Sequence, residues 1–307
     1  MIENLNNFLR KYNYKAGIVP FKRLEELRRE IENWHEKGYI NKALYKSYLS
    51  GFTFSKSGNT FNPESVITVA IPQPQYRLYF TIKNKRFPVI IPPTYVNSYK
   101  IIQEVNDLLN RFLSGTGFMV ETAILPEKLL AVHSGLSKYG KNNISYIEGL
   151  GSFYQLESFF SNVPCNDNKW YEERELRECL DCKICLKNCP TGAITASRFL
   201  LRAEKCLTFW NEGDEEFPAW INSESHNCLI GCLRCQIVCP YNRSVTSWIE
   251  DIGEFSSEET EKLLSGLQPD NLPQSIIEKM NLIDFNRHLY RIPRNLRALI
   301  GKEQHHR

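Results

Sequence analysis

The sequence predicts an α+β chain: a mixed helix-and-strand region, then a cysteine-rich region, then a short helical segment. Three observations carry this. Within the first 165 residues, apolar positions recur at helical spacing in two stretches, with β-rich runs between them. Nine of the ten cysteines lie between residues 179 and 239, seven of them in two groups that each end in Cys-Pro, and none precedes residue 165. Beyond residue 246 the helical patterns are short and are interrupted by Pro269, Pro273 and Pro293. The domain boundaries read from these shifts are 1–165, 166–245 and 246–307.

Taken in order, Phe21, Leu24, Leu27, Ile31 and Trp34 mark an amphipathic helix that stops at Gly38. Ser65 to Ile71 is β-rich and ends at Pro72. Leu78 to Ile82 and Phe87 to Ile91 flank the turn Lys83-Asn84-Lys85-Arg86 and predict a hairpin. Ile101, Ile102, Val105, Leu108, Leu109 and Phe112 mark a second long helix that halts before Gly115 and Gly117. Tyr95 and Tyr99 lie four apart, on one face if helical, as a core pair or a pocket lining.

At 307 residues the chain can bury a substantial core, and its length suggests about two domains. A hydrophobic fraction of 42% with 24% charged residues is that of an ordinary soluble protein. The amino terminus has neither a basic region nor a long apolar run, and no stretch approaches the roughly 18 apolar residues of a membrane helix, so a cytoplasmic protein with no membrane partner is expected. A net charge of +3 is too small to indicate nucleic acid by itself. Basic residues do concentrate in Arg287, His288, Arg291, Arg294, Arg297 and Lys302, as a solvated helix face or a phosphate-contacting patch. The six histidines, His305 and His306 among them, show no metal spacing.

The first cysteine group, Cys179, Cys182, Cys185, Cys189 and Pro190, has the CxxCxxCxxxCP spacing of bacterial two-cluster ferredoxins. Two-residue spacers let one tight loop place three thiolates around a single 4Fe-4S cube, and the fourth, before proline, ordinarily reaches the other cube. The second group repeats the ending as Cys232, Cys235, Cys239 and Pro240. Pairing the halves gives Cys179, Cys182, Cys185 and Cys239 to one cluster, and Cys189, Cys232, Cys235 and one more to the other. That last ligand is Cys206 or Cys228, which spacing alone does not separate; Cys165 is spare. Zinc would more often show paired CxxC knuckles or histidines. Disulfides belong to oxidising compartments.

A free two-cluster ferredoxin needs far fewer residues, so the attached region implies electrons delivered to a specific acceptor or partner. Neither a GxGxxG turn in a strand-turn-helix setting, nor GxxxxGK[ST], nor DxHxxG is present. From the residues alone the acceptor is undetermined.

Around residue 135 and through the cysteine groups the chain resembles the epoxyqueuosine reductase family, relatives of the reductive dehalogenases. The family's AGLGxxGKN segment is matched by Gly135-Leu136-Ser137-Lys138-Tyr139-Gly140-Lys141-Asn142, and its glycine-serine strand by Gly151-Ser152-Phe153. Its CPTGAI is identical at Cys189 to Ile194, its Arg-Cys element is Lys205-Cys206-Leu207-Thr208, and its GCDxCQxVCPWN block reads Gly231 to Asn242. The resemblance selects Cys206 as the eighth ligand and leaves Cys228 beside the cluster. It implies a nitroreductase-like first domain that binds cobalamin with its lower base displaced, near Tyr99, Glu121, Lys141, Asn142, Thr208 and Gly231. It also implies reduction of epoxyqueuosine to queuosine in tRNA, or of a related substrate in a shortened relative, with cobalt reduced through a cluster. Glu121, fourteen residues before Gly135, stands where the family has its aspartate proton donor. A donor at neutral pH needs a raised pKa, and Met119, Val120, Ile124 and Leu125 are expected to supply apolar surroundings.

The chain departs from the family's RYxxGxDYH segment, where Ile91 to Lys100 retain only Tyr99, and has Leu233 for an aspartate. The implied partners are tRNA and an external low-potential electron donor such as a ferredoxin or flavodoxin. A non-catalytic electron-transfer adaptor is the alternative from a different class. A reductive dehalogenase-like enzyme is the alternative that shares the chemistry.

Overall fold

Ser65 to Pro72 is buried at seven of its eight positions, and such a strand needs cover on both faces. The computed structural model describes residues 1–49, 51–56, 60–166, 168–172 and 175–304, and the side chains of these except 47–49 and 302–304. The Lys302 side chain, His305 and His306 therefore lie outside the described residues. In chain order, α1 (Ile2–Leu9) precedes β1 (Lys15–Pro20), α2 (Leu24–Glu36), α3 (Lys42–Leu49) and β2 (Ser65–Pro72). Then come β3 (Gln75–Ile82), β4 (Lys85–Ile91), α4 (Ser98–Leu113), β5 (Val120–Ala123) and α5 (Glu127–His133). A small pair, β6 (Lys138–Tyr139) and β7 (Ser145–Tyr146), precedes β8 (Tyr154–Ser161). The cysteine-rich stretch holds three short helices, α6 (Ile184–Asn188), α7 (Leu207–Glu212) and α8 (Arg234–Ile237). The chain continues with β9 (Ile249–Phe255), α9 (Ser257–Leu264), α10 (Gln274–Leu282) and α11 (Ile292–Gln304).

These elements form two units that interleave along the sequence: residues 1–72, 100–183 and 196–202, and residues 73–99, 184–195 and 203–307. In the first, an antiparallel sheet runs β1-β2-β8-β5. The period-2 geometry of β2 and β8 sends Val66 and Phe160 to one face, where Leu27 and Ile31 of α2 and Leu129 and Leu130 of α5 cover them. Ile67 and Phe159 go to the other, under Leu5 and Leu9 of α1 and Val105 and Leu109 of α4. Both helices expected in this stretch are present.

In the second unit β3 and β4 form the expected hairpin, with Lys83 and Asn84 at φ 47° and 61°, the left-handed values a tight two-residue turn requires. Its other partner was not foreseen: β9 joins β3 in parallel. The hairpin therefore shares its core with the carboxy-terminal segment, where Leu78, Phe80 and Ile91 pack with Phe255, Met280 and Leu296. This divides the chain otherwise than the linear boundaries 1–165, 166–245 and 246–307, because strand pairing at long range outweighs sequence proximity.

The tail is more than a helical cap, since it supplies β9. Pro293 sits in the first turn of α11, where a missing N–H costs nothing, so it opens a helix and does not break one. Ser256 and Glu259 make a reciprocal capping box at the start of α9. The basic residues of the tail are largely internal ties: Arg291 pairs with Asp214 at 3.0 Å, Arg297 donates to the Leu264 carbonyl, and Arg294 donates to the carbonyls of Trp210, Asn211, Gly213 and Glu215. Tyr95 and Tyr99 do not share a face, because Tyr95 sits among turn residues with Thr94 and Asn97 at positive φ while Tyr99 is exposed at the start of α4. Among the described residues no helix is long and apolar enough to cross a membrane.

Candidate functional site

No disulfide joins any of the ten cysteines. Cys189, Cys206, Cys232 and Cys235, the set proposed for one cluster, all belong to the second unit. Cys206 is the residue at which α7 begins, Cys232 follows Gly231, and Cys235 lies in α8. The Cys206 thiol is pushed up to about 11, first by burial and then by the charges of Cys232 and Cys189, so these three sulfurs sit within electrostatic reach of one another. Burial also raises Cys232, with Cys189 adding to it. Partly buried thiols crowded in this way resist becoming anions unless a cation neutralises them, and that is what the iron of a cluster supplies.

The sulfurs differ in their hydrogen bonds. Asn227 donates Nδ2 to Cys232 Sγ at 3.2 Å, and Thr208 hydrogen-bonds to Cys206 through both backbone and hydroxyl. Cys228 instead donates its own Sγ to Asn227 Oδ1 at 3.2 Å, and burial holds its thiol well above the ordinary range. The same Oδ1 accepts the Leu233 N–H at 2.9 Å. Asn227 thus stands between the two cysteines, and no feature of the sequence marks it. Of the other set, Cys185 on α6 and Cys239 belong to the second unit, while Cys179 and Cys182 belong to the first. Among the described residues no three His, Cys, Asp or Glu side chains converge as they would around one metal ion. A four-iron cluster takes its thiolates on separate corners.

Near Cys206 and Cys232 stands a half-buried polar group that the sequence does not reveal. Tyr95 donates to Glu212, the last residue of α7, and its hydroxyl lies where a Cβ on Gly231 would come within 2.7 Å. Gly231 has φ +66°, so both backbone and space require glycine there. His288 packs edge-on to Tyr95 at 5.8 Å, and burial together with Arg287 and Arg291 lowers its pKa to about 3. Burial raises Glu212 and Tyr95.

The residues named for a corrinoid are mostly engaged with the protein itself. Glu121 lies on β5, 3.1 Å from Lys56 Nζ and 3.3 Å from Thr60 Oγ1. Its side chain is 45% exposed, and its neighbours Met119 and Ile124 are exposed as well, so the apolar surroundings expected of it are absent. Lys141 pairs with Glu175 at 3.4 Å. Asn142 is buried, donates to the Tyr146 hydroxyl at 2.8 Å and accepts from Ile144 N, which is the work of a structural turn. Thr208 is engaged with Cys206 and Gly231 is covered by Tyr95. Tyr99 is exposed.

The first unit holds a different carboxylate pair. Glu127 opens α5 and Glu157 lies on β8, where Gln155 Nε2 donates to it at 2.5 Å. Burial raises Glu157 to about 7 and Glu127 well above its ordinary value, the charge of Glu157 adding to the latter. Thirty residues separate the two in sequence, so only the fold discloses them as a pair.

Fold and cysteine geometry together define a mixed helix-and-strand iron-sulfur protein, and residues 178–242 match the 4Fe-4S double cluster binding domain family. The relatives narrow this class. The chain is 26% identical over 265 residues to the epoxyqueuosine reductase of Staphylococcus aureus (strain NCTC 8325 / PS 47), covering 78% of this chain and 65% of that one. It is 26% identical over 212 residues to that of Bacillus subtilis (strain 168), covering 64% and 54%, so it spans between half and two thirds of these proteins' lengths. The fold matches a crystal structure of selenomethionine-labeled epoxyqueuosine reductase with TM-score 0.67 and 18% identity over 98% of this chain and 81% of that one. It also matches an epoxyqueuosine reductase solved with a tRNA-Tyr epoxyqueuosine-modified stem loop, with TM-score 0.66 and 20% identity over 98% and 82%. The chain is thus homologous to epoxyqueuosine reductases and shares their fold.

Proposed function

We propose that this protein is a two-cluster iron-sulfur reductase acting on epoxyqueuosine in tRNA, or on a closely related epoxide. The observation that carries the reading is the homology to curated epoxyqueuosine reductases over 78% of the chain. In this reading Cys179, Cys182, Cys185 and Cys239 hold one cluster and Cys189, Cys206, Cys232 and Cys235 the other. The clusters supply single electrons at low potential. Asn227 and Thr208 direct hydrogen bonds at Cys232 and Cys206, which stabilises the more negative, reduced state of that cluster. An external ferredoxin or flavodoxin is the proposed donor, and tRNA the proposed partner.

Glu121 is the proposed acid for the departing oxygen, on its position in the sequence, with Lys56 and Thr60 fixing the carboxyl's direction. Cobalamin is the second cofactor the family resemblance implies. The residues named for it do not fit that role as they stand, since the Asn142 and Thr208 side chains serve the protein's own contacts and Tyr95 covers Gly231. The corrinoid therefore enters only as a separate readout in the test.

That test is anaerobic reconstitution with iron, sulfide and cobalamin, followed by metal counting and turnover of epoxyqueuosine-containing tRNA with a reduced ferredoxin. About eight irons with queuosine formed is the expected result, and Glu121→Gln should then abolish turnover while keeping the iron. The same iron without turnover would overturn the reductase and leave an electron-transfer adaptor.

A further inference from the structure

Two of the proposed thiolates of the second cluster lie on separate segments, Cys206 before α7 and Cys232 after Gly231, and neither segment is held by a strand ladder. What joins them is a set of buried side-chain amides. Asn295 of α11, 1% exposed, donates Nδ2 both to the Asn211 carbonyl at 2.9 Å and to the Leu229 carbonyl at 2.8 Å. The first carbonyl belongs to the Cys206 helix and the second to the approach to Cys232. Asn211, fully buried, donates Nδ2 to the Gly231 carbonyl at 2.7 Å, directly across the same gap. Arg294 satisfies the carbonyls at the end of α7 and donates Nε to Asn295 Oδ1 at 3.0 Å, which fixes the Asn295 amide so that its nitrogen faces the two segments. Tyr95 makes a third tie, bonded to Glu212 and packed on Gly231.

Stability alone gives a poor account of this arrangement. Asn211 Oδ1 is buried without a partner among the described residues, a cost that a leucine of similar size would avoid. The amide is retained where its nitrogen spans the gap between two ligand-bearing segments.

We infer that Asn211 and Asn295 are positioning residues that set the separation of Cys206 from Cys232 and so determine whether the second cluster is held. The inference rests on the iron-sulfur reading above. Asn295→Asp keeps the size of the side chain and its bond from Arg294 but removes both donations. Asn211→Leu removes the direct tie.

The experiment counts iron and records the electron paramagnetic resonance of the reduced, reconstituted full chain. Cys206→Ala serves as reference for a protein holding the first cluster alone. Both asparagine variants are expected to fall from about eight irons to about four, with the reference spectrum and an unchanged far-ultraviolet circular dichroism. Ser256→Ala, which weakens the α9 cap in the same unit, should keep all the iron and so controls for simple loss of stability. About eight irons with a wild-type spectrum in the variants would overturn the inference, as would loss of both clusters together.

Tyr95→Phe covers the case in which the asparagine variants do not fold, since it keeps the ring over Gly231 and loses only the bond to Glu212. It is expected to shift the reduction potential of the second cluster and leave that of the first, and Asn295→Ser, too short to reach both carbonyls, is expected to do the same; unchanged potentials, or equal shifts in both clusters, in Asn295→Ser would overturn the inference. Failure of the wild-type chain to hold two clusters would instead defeat the functional reading.

Discussion

The sheet of the first unit and the cysteine loops of the second are held by different means. In the sheet, β2 and β8 satisfy each other's backbone through a continuous antiparallel register, and side chains such as Phe159 and Leu27 are free to be wholly apolar. In the loops around Cys206 and Cys232 the backbone has no ladder, and its carbonyls and sulfurs are met by Asn211, Asn227, Asn295 and Arg294. A chain that must wrap a prosthetic group in irregular backbone replaces ladder hydrogen bonds with buried amides. Tolerance to mutation should therefore differ between the units, toward polar change in one and toward loss of polarity in the other.

The sharpest break of the comparison is at the ligands. Cys206→Ala should abolish one cluster outright, halving the iron, while Cys228→Ala keeps both; iron analysis after reconstitution decides, and full iron in the first variant would contradict the ligand assignment. Next is Phe159→Ala, which opens the fully buried sheet interior and should cost about 3–5 kcal/mol in chemical denaturation.

The Glu127–Glu157 pair gives a smaller and pH-dependent effect. Because the folded Glu157 binds its proton more tightly than the unfolded chain does, the native state holds the extra proton as pH rises from about 4.5 to about 7, and stability falls across that window. Glu157→Gln should remove most of that fall, gaining about 2 kcal/mol at pH 8 relative to wild type while changing little at pH 4. Denaturant melts at the two pH values test this, and an equal gain at both would refute it. The least effect is expected at Ser256→Ala, about 1 kcal/mol from the lost cap.

The elements of the first unit were legible because their apolar spacing is local: Leu24, Leu27 and Ile31 declare a helix on their own, and so does the run from Ser65. The hairpin β3–β4 was equally legible, but its place in the other unit was not, because that depends on β9. Within Ile249 to Phe255 only the last residue is buried, so the strand carries no apolar alternation to announce it. The cysteine spacing disclosed the cluster chemistry, which the family match over residues 178–242 bears out, and it proposes seven of the ligands. Choosing between Cys206 and Cys228 took a family resemblance, and the Cys228–Asn227 bond gives that choice a physical reason. The Asn295 ties, the Tyr95–Glu212 bond and the Glu127–Glu157 pair join residues far apart in sequence, which no local pattern encodes.

The interleaving of the two units has a consequence for biosynthesis. The hairpin carrying Tyr76, Leu78, Phe80, Val89 and Ile91 leaves the ribosome well before the residues that cover it, from Leu229 to Leu299. Until then a strand edge and an apolar face wait uncovered, a situation that favours association with chaperones over independent folding. Asn295 arrives later still than the cysteines it joins. If Asn295 holds the second cluster's loops as inferred, that cluster is loaded stably only after Asn295 has been translated.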